Sequence, residues 1–96
     1  MNTRRQVFYV YVLYCTKDSG WYIGYTTDLK HRLSQHAKGI VPSTKNRIPV
    51  TLIHYEYFIS MSDAKAREKF LKSGFGREQL RQILKNTMSA FIVDCL

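Results

Sequence analysis

Residues 21–36, WYIGYTTDLKHRLSQH, contain the change from strand to helix around which the predicted fold is built. Trp21–Tyr25 is aromatic and apolar except for one glycine, which is typical of a strand. Gly24 inside that strand indicates close approach by another backbone or by a ligand. Asp28 and the two threonines before it can cap a helix that runs to about residue 37. The stretch therefore predicts a strand, a short turn and a helix.

An antiparallel partner strand precedes this stretch. Val7–Cys15 is rich in β-branched and aromatic residues, and residues 16–20 (TKDSG) are typical of a turn. If the two strands pair around that turn, Tyr11 and Tyr22 lie near one another across the sheet. Side chains alternate along a strand, so Tyr9 shares a face with Tyr11. The sequence therefore predicts a hairpin with tyrosines on one face.

The helix after the hairpin carries two polar side chains on one face. Arg32 and His36 are four residues apart, beside the apolar stripe of Leu29 and Leu33. We expect them to emerge at the edge of the core. Taken alone, Arg32 is also a plausible surface cation, and His36 a solvated or capping residue.

The remainder of the chain predicts one strand and two helices after a basic surface loop with two prolines. The predicted elements are a strand over 51–59, a helix over 60–73 that opens on the capping spacing of Ser60 and Asp63, a break at Gly74–Gly76 and a helix over 77–86. The fold class is α+β, a small three-stranded antiparallel sheet flanked by helices in the order β-β-α-β-α-α.

A single domain is expected over residues 1–96, with a core at about 7–87 and an apolar tail at 88–96. The tail either forms an extra strand, packs on the core or pairs with another chain as a homodimer. The two cysteines, Cys15 and Cys95, lack metal spacing and are expected to be reduced thiols. Because no signal peptide or membrane-spanning segment is apparent, the expected location is the cytoplasm.

Net charge indicates the class of partner. Fifteen Lys and Arg against seven acidic residues give +8, which favours nucleic acid, although an acidic protein or an anionic membrane surface would also satisfy it. The hydrophobic fraction of 45% excludes a disordered chain.

One carboxylate is expected on the packed side of a helix. Ala64, Glu68 and Leu71 are neighbours along one helical face, so Glu68 at least partly faces the core. A carboxylate there is either paired with a cation, such as Lys72 at i+4, or bound to a metal. Glu56, on the third strand, is interpreted as a salt-bridge partner.

The ordered motifs over about residues 8–85 resemble the GIY-YIG nuclease superfamily. The Y-I-G triplet is present at 22–24, although Tyr9-Val10-Tyr11 stands where G-I-Y is usual. The other matching segments are T-x-D-L-x-x-R-x-x-x-H over 26–36, Thr44-Lys45 and Pro49 in the loop, Tyr55-Glu56 in the third strand, and A-x-x-R-E-x-x-L-K from Ala64 with a one-residue shift. Without this resemblance, Tyr11 and Tyr22 would be interpreted as core aromatics.

The resemblance implies a divalent-metal-dependent endonuclease that hydrolyses DNA, selective for structure, in repair or recombination. The alternatives are a weak or inactive nucleic-acid-binding module of the same fold and an interaction domain that works through the tail. DNA is expected rather than RNA, and no membrane partner is expected. The implied catalytic residues are Tyr11, Tyr22, Arg32, His36 and Glu68, with Glu68 as the ligand of one Mg2+ or Mn2+. The expected nucleic-acid contacts are Gly24, Lys30, Lys38, Lys45 and Arg47.

Overall fold

The computed structural model describes residues 5–94, with side chains over 5–91. Its elements are β1 (Phe8–Cys15), β2 (Gly20–Thr26), α1 (Leu29–Ala37), β3 (Val50–Phe58), α2 (Met61–Leu71), α3 (Gly74–Ile83) and α4 (Lys85–Asp94). The predicted fold class, an α+β domain with a three-stranded antiparallel sheet, is confirmed. The order of elements is β-β-α-β-α-α-α, one helix more than predicted.

Strand β1 lies in the middle of the sheet, whose order is β2-β1-β3. It pairs antiparallel with both neighbours, and Tyr11 lies opposite Gly24 on one side and Tyr55 on the other. Residues 10–15 are all buried, which fits their apolar and aromatic composition. The predicted hairpin is therefore confirmed, and its first strand organises the whole sheet.

The two faces of the sheet are covered differently. Val10, Val12 and Ile23 point to one face, where they form the main hydrophobic cluster with Ala64 of α2 and other helical residues. Tyr11 points to the opposite face, towards α1 and the loop after it, because neighbouring side chains alternate along a strand. The helices α2 and α3 thus cover the apolar face, and α1 lies on the face that carries the hairpin tyrosines.

Local capping fixes the ends of α1 and α2. The Asp28 carboxylate accepts a hydrogen bond from the His31 amide at 3.0 Å, as predicted for the start of α1. Ser60 accepts one from the amide of Asp63 at 3.4 Å at the start of α2. Gly39, at φ 73°, follows α1 in the left-handed region that glycine tolerates best.

The predicted break between two helices is confirmed, but it lies at residues 72–73, because Gly74–Gly76 form the first turn of α3. Ser73 caps the helix and its hydroxyl accepts a hydrogen bond from the Gly76 amide at 3.2 Å. Gly76 is buried, and a Cβ there would overlap the carbonyl of Phe70 at the end of α2. Close packing of the two helices, rather than helix termination, explains the glycine.

The described part of the apolar tail, residues 88–94, lies in α4. The ring of Phe91 packs against Tyr14 of β1, with 4.8 Å between ring centroids. Over these residues the tail is helical and packs on the core of the same chain, so this alternative is confirmed there and the extra strand is wrong. Cys15 is free and buried, as expected for a reduced thiol, and Cys95 lies outside the described residues. None of the described helices is long and apolar enough to cross a membrane.

The contact between α2 and α3 can be tested with a pair of glycines in the same helical turn. We expect Gly76→Ala to lower the free energy of unfolding by about 1–3 kcal/mol, because the new methyl group has no space. Gly74→Ala is the matched control, since a Cβ there meets no heavy atom within 4 Å. Urea denaturation measures both, and equal midpoints for the two variants would contradict the packing explanation.

Candidate active site

Tyr11 is the central residue of the candidate site. Its side chain is fully buried, and its hydroxyl oxygen lies 2.8 Å from Nε2 of His36 on α1. A Cβ at Gly24 would overlap the phenol ring, so the glycine of the Y-I-G triplet leaves the space that this ring occupies. The predicted close approach at Gly24 is therefore made by a side chain of the neighbouring strand.

His36 connects this tyrosine to the loop after α1. The ring is fully buried, and its Nδ1 lies 2.7 Å from the hydroxyl oxygen of Thr44, which is also buried. The ring of Tyr22 is the third aromatic neighbour, with its centroid 5.2 Å from that of His36 and 6.1 Å from that of Tyr11. Tyr11, His36 and Thr44 thus form one buried chain of hydrogen bonds, and a solvated His36 is excluded.

Their surroundings keep the two titratable groups of this hydrogen-bond chain, the Tyr11 phenol and the His36 imidazole, neutral at neutral pH. Burial raises the pKa of Tyr11 to about 12, against the opposing effect of the Arg32 charge. Burial and, after it, the same Arg32 charge lower the pKa of His36 below its ordinary value. In one tautomer Tyr11 donates to Nε2 and Nδ1–H donates to Thr44; in the other, both bonds reverse. The first arrangement leaves His36 ready to take the tyrosine proton.

Arg32 places a positive charge next to the hydrogen-bonded Tyr11 and His36. It lies on α1 one turn before His36, half-buried, and one guanidinium N–H donates to the side-chain oxygen of Gln35 at 3.1 Å. A guanidinium has five N–H donors in a planar fork, which suits the oxygens of a phosphate. The structure thus brings Arg32 together with Tyr11, Tyr22 and His36, as the sequence predicted.

Glu68 does not touch this group. It lies on α2, the helix that packs against the opposite face of the sheet, and its carboxylate accepts a hydrogen bond from Nζ of Lys72 at 2.9 Å. Within residues 5–91, no hydrogen bond or ion pair joins Glu68 to Tyr11 or Arg32. The ion-pair interpretation of Glu68 is therefore confirmed, and its predicted role as metal ligand stays a prediction.

The donor set decides what kind of metal site is chemically feasible. In the described part of the chain, no group of three or more His, Cys, Asp or Glu side chains lies close enough to hold an ion. A cage built from protein ligands alone is thus absent there. A single carboxylate such as Glu68, which is only 19% exposed, suits Mg2+ because this ion usually keeps several waters and binds substrate phosphate.

Glu56 has a structural role. Its carboxylate accepts two hydrogen bonds from Arg67 of α2, at 2.9 and 3.1 Å, and lies 2.9 Å from Nε2 of His54. Burial alone would raise the pKa of Glu56, but Arg67 and then His54 outweigh it and hold the pKa below its usual value. The salt-bridge interpretation is confirmed, and the bridge ties β3 to α2.

The predicted phosphate contacts differ in their surroundings. Lys30 is exposed on α1, Lys38 is exposed directly after its last residue, and Lys45 is exposed in the loop that follows. Arg47, by contrast, donates from Nε to the Asp18 carboxylate at 2.6 Å, which ties the loop to the β1–β2 turn. Gly24 is buried beneath Tyr11. The three lysines are therefore open to a ligand, and Arg47 already has an ionic partner.

Thr44 is a site residue whose role the sequence did not predict. It belongs to a matching motif segment, but a threonine in a loop with two prolines indicates a surface turn. Its burial depends on the fold of residues 39–49, where its carbonyl also accepts a hydrogen bond from the amide of Arg47 at 2.8 Å. Helical or strand periodicity carries no signal for such a contact.

Comparison with known proteins agrees with this arrangement. The family model described as the GIY-YIG catalytic domain matches residues 7–81. The chain belongs to the GIY-YIG family. The matched range contains every residue of the predicted catalytic set, from Tyr11 to Glu68.

Relatives of similar size support the assignment. A UPF0213 protein of Streptococcus pyogenes is 44% identical over 80 residues, covering 82% of this chain and 84% of its own length. One of Haloquadratum walsbyi is 41% identical over 76 residues, covering 78% and 83%. The solution NMR structure of a UPF0213 protein from Bacillus halodurans is 39% identical, with a TM-score of 0.53 over 80% of this chain and 84% of that one. These names state no reaction.

Burial of His36 has a consequence for stability that can be measured. The unfolded chain takes up a proton on this histidine near the ordinary pKa of 6.5, whereas the buried ring resists it. The free energy of unfolding should therefore fall as the pH drops below 6.5, and this part of the decrease should be absent in His36→Gln.

Urea denaturation between pH 5 and 7.5 measures this effect (a range chosen around ~6.5, the usual histidine pKa). His31→Gln is the matched control, because His31 is exposed on the same helix and its replacement should preserve the pH dependence. A wild-type slope retained in His36→Gln would show that His36 is not the titrating group.

Proposed function

We propose that this GIY-YIG protein is a divalent-metal-dependent endonuclease that hydrolyses phosphodiester bonds in DNA. The observation that carries the proposal is the buried chain from Tyr11 through His36 to Thr44, beside the Arg32 guanidinium. It offers a proton path and a phosphate-binding cation in one place. The net charge of +8 supports a phosphate-rich partner.

Tyr11 cannot supply a base by ionising on its own. With a pKa of about 12, roughly one phenol in 10⁵ is ionised at neutral pH. The hydrogen bond to the neutral ring of His36 removes this difficulty, because the phenol proton can pass to Nε2 as the attacking water gives its proton to the phenol oxygen. Tyr11 thus relays the proton of the water and His36 holds it, and the buried hydroxyl of Tyr11 becomes accessible to that water when the substrate binds.

Arg32 is assigned to the scissile phosphate. Its forked donors bind two phosphoryl oxygens and offset the negative charge that grows as the water oxygen bonds to phosphorus and the bond to the sugar oxygen breaks. Tyr22 packs against the rings of both Tyr11 and His36 and holds them in place. The exposed lysines of α1 and its loop are assigned to backbone phosphates on either side.

Glu68 is assigned as the protein ligand of the metal ion. Its helix, α2, lies on the opposite face of the sheet from Tyr11 and reaches the edge strand β2. Lys65, three residues before Glu68 on α2, places its Nζ 3.9 Å from the ring centroid of Tyr25 in the edge strand β2. Because α1 follows β2 directly, a phosphate at this edge can lie between Arg32 and Glu68. The chemistry that Mg2+ or Mn2+ supplies there, when bound, is Lewis-acid stabilisation of the phosphoryl and departing sugar oxygens. Glu68 would exchange Lys72 for the ion.

A second candidate is a nucleic-acid-binding module with little or no turnover. The position of α2 on the face of the sheet opposite Tyr11 favours it, as does the pairing of Glu68 with Lys72. We retain DNA as the substrate, repair or recombination as the role and the cytoplasm as the location, on the family resemblance alone. A homodimer through the tail is less favoured, because Phe91 packs on Tyr14 of its own chain.

Cleavage of labelled DNAs and RNAs with Mg2+ or Mn2+ distinguishes the two candidates. The panel contains a linear duplex, a single strand, a flap, a fork and a four-way junction. We expect Glu68→Gln to lower the rate by more than about 100-fold, because it removes the charge that binds the metal. Glu78→Gln, which breaks an exposed pair with Arg81 on α3, is the matched control and should cleave normally. Binding without cleavage by the wild-type protein would select the binding module.

The proton path is tested by removing one hydroxyl group. Tyr11→Phe should lower the cleavage rate by about 10²- to 10⁴-fold, since the ring remains and only the proton-transfer group is lost. Tyr14→Phe is the control, because Tyr14 lies on the same strand but packs against Phe91 on the opposite face. Retention of full activity by Tyr11→Phe would exclude Tyr11 as the group that contacts the water.

A further inference from the structure

The sheet face that carries Tyr11 continues into further tyrosines. In the register of β1 and β3, Tyr11 lies opposite Tyr55 and Tyr9 opposite Tyr57. Residues directly opposite one another in antiparallel strands project to the same face, as do residues two apart in one strand. The four tyrosines therefore lie side by side, on the face opposite the hydrophobic cluster with α2.

Two of these four rings are exposed, and a third, that of Tyr9, is partly exposed. Tyr55 and Tyr57 are 51% and 61% exposed, whereas Tyr11 is fully buried. The ring centroid of Tyr9 lies 6.1 Å from that of Tyr55 and 6.4 Å from that of Tyr57. Contiguous exposed aromatic rings are uncommon on a protein surface unless they bind something. We call Tyr9, Tyr55 and Tyr57 the tyrosine surface.

We propose that the tyrosine surface stacks the unpaired bases of the nucleic-acid strand that is cut at Tyr11. This inference rests on the proposed nuclease function and specifies its substrate. Aromatic side chains on an open sheet bind single-stranded nucleic acid because every base has a flat face, whatever its sequence. Inside a duplex both faces of a base are covered by its neighbours. The surface therefore selects single strands, flaps or frayed ends.

The surroundings favour nucleic acid over a protein partner. The tyrosine surface adjoins Tyr11 without interruption, so a strand stacked there leads into the proposed site. Helix α1, on the same face, carries Lys30 exposed to solvent, and exposed Lys38 follows its last residue. Bases on tyrosines and phosphates on lysines are the two contacts that a single strand requires. The net charge of +8 is opposite in sign to that of the phosphates of a nucleic acid.

Binding without cleavage tests this proposal. The probes are fluorescently labelled oligothymidylate of about 12 nucleotides, within the span of one small binding domain, and a duplex of the same length, with EDTA to prevent hydrolysis. The variant carries Tyr55→Leu and Tyr57→Leu, and Tyr57→Phe and Phe75→Leu are the controls. Phe75→Leu removes an exposed ring, 86% exposed, from α3. Fluorescence anisotropy gives each Kd, and circular dichroism checks the fold.

We expect the double variant to bind the single strand about 5-fold to 150-fold more weakly for each base that loses its stacking partner. Its affinity for the duplex should stay within about twofold. Tyr57→Phe, which keeps the ring, and Phe75→Leu should bind both probes like the wild type. Unchanged single-strand binding by the double variant, or an equal loss on both probes, would overturn the proposal.

Two further readouts separate this proposal from its alternatives. If sedimentation shows a wild-type dimer that the double variant dissociates, the surface is an interface between two copies and the proposal fails. Cleavage with Mn2+ is measured independently. If the double variant selectively loses single-strand binding but the wild-type protein never cleaves, the base-stacking role of the tyrosine surface is supported and the proposed nuclease activity is refuted. If the double variant cleaves normally and binds the single strand as the wild type does, only the base-stacking role of the tyrosine surface is refuted, and the proposed nuclease activity is retained.

Discussion

The hydrogen bond between Tyr11 and His36 is the interaction on which the rest of the site depends. It joins the central strand to α1 across a fully buried contact. For the phenol to reach the imidazole, the neighbouring strand must present no side chain, and Gly24 meets that condition. For the imidazole to be satisfied at its other nitrogen, the loop after α1 must fold inwards, and Thr44 does so. One bond therefore constrains a strand, a helix and a loop.

The same burial sets the chemistry of the pair. Removal from water disfavours charge on either partner, so the pKa of the tyrosine is raised and that of the histidine is lowered. Arg32 adds a fixed positive charge nearby, which opposes an imidazolium and favours a phenolate. A neutral phenol bonded to a neutral imidazole, next to a guanidinium, is well suited to pass a proton while a phosphate is held.

One face of the sheet packs against helices, and the other carries the candidate site. On one face, aliphatic residues of β1 and β2 pack against α2 and α3, and Glu56 ties β3 to α2 through Arg67. On the other face, the tyrosines of β1 and β3 are only partly covered by α1. Exposed aromatic rings forgo the free energy that burial would provide, and the proposed stacking of bases would bury them. The inferred path of a single strand follows this face to Tyr11.

The sequence alone determined six of the seven elements, because these depend on local patterns such as alternation in β1 and the caps Asp28 and Ser60. It also placed Arg32 and His36 on one helical face through their four-residue spacing, whereas the roles of the candidate site residues came from the family resemblance. It failed at Gly74–Gly76, where close packing of α2 and α3 outweighs the usual role of glycine as a helix terminator. Tertiary structure alone placed Thr44 against His36, Arg47 against Asp18, and the exposed Tyr55 and Tyr57 beside the tyrosines of β1. Such contacts join segments whose separation has no periodic signature, and only the register of the strands and the path of the loop bring them together.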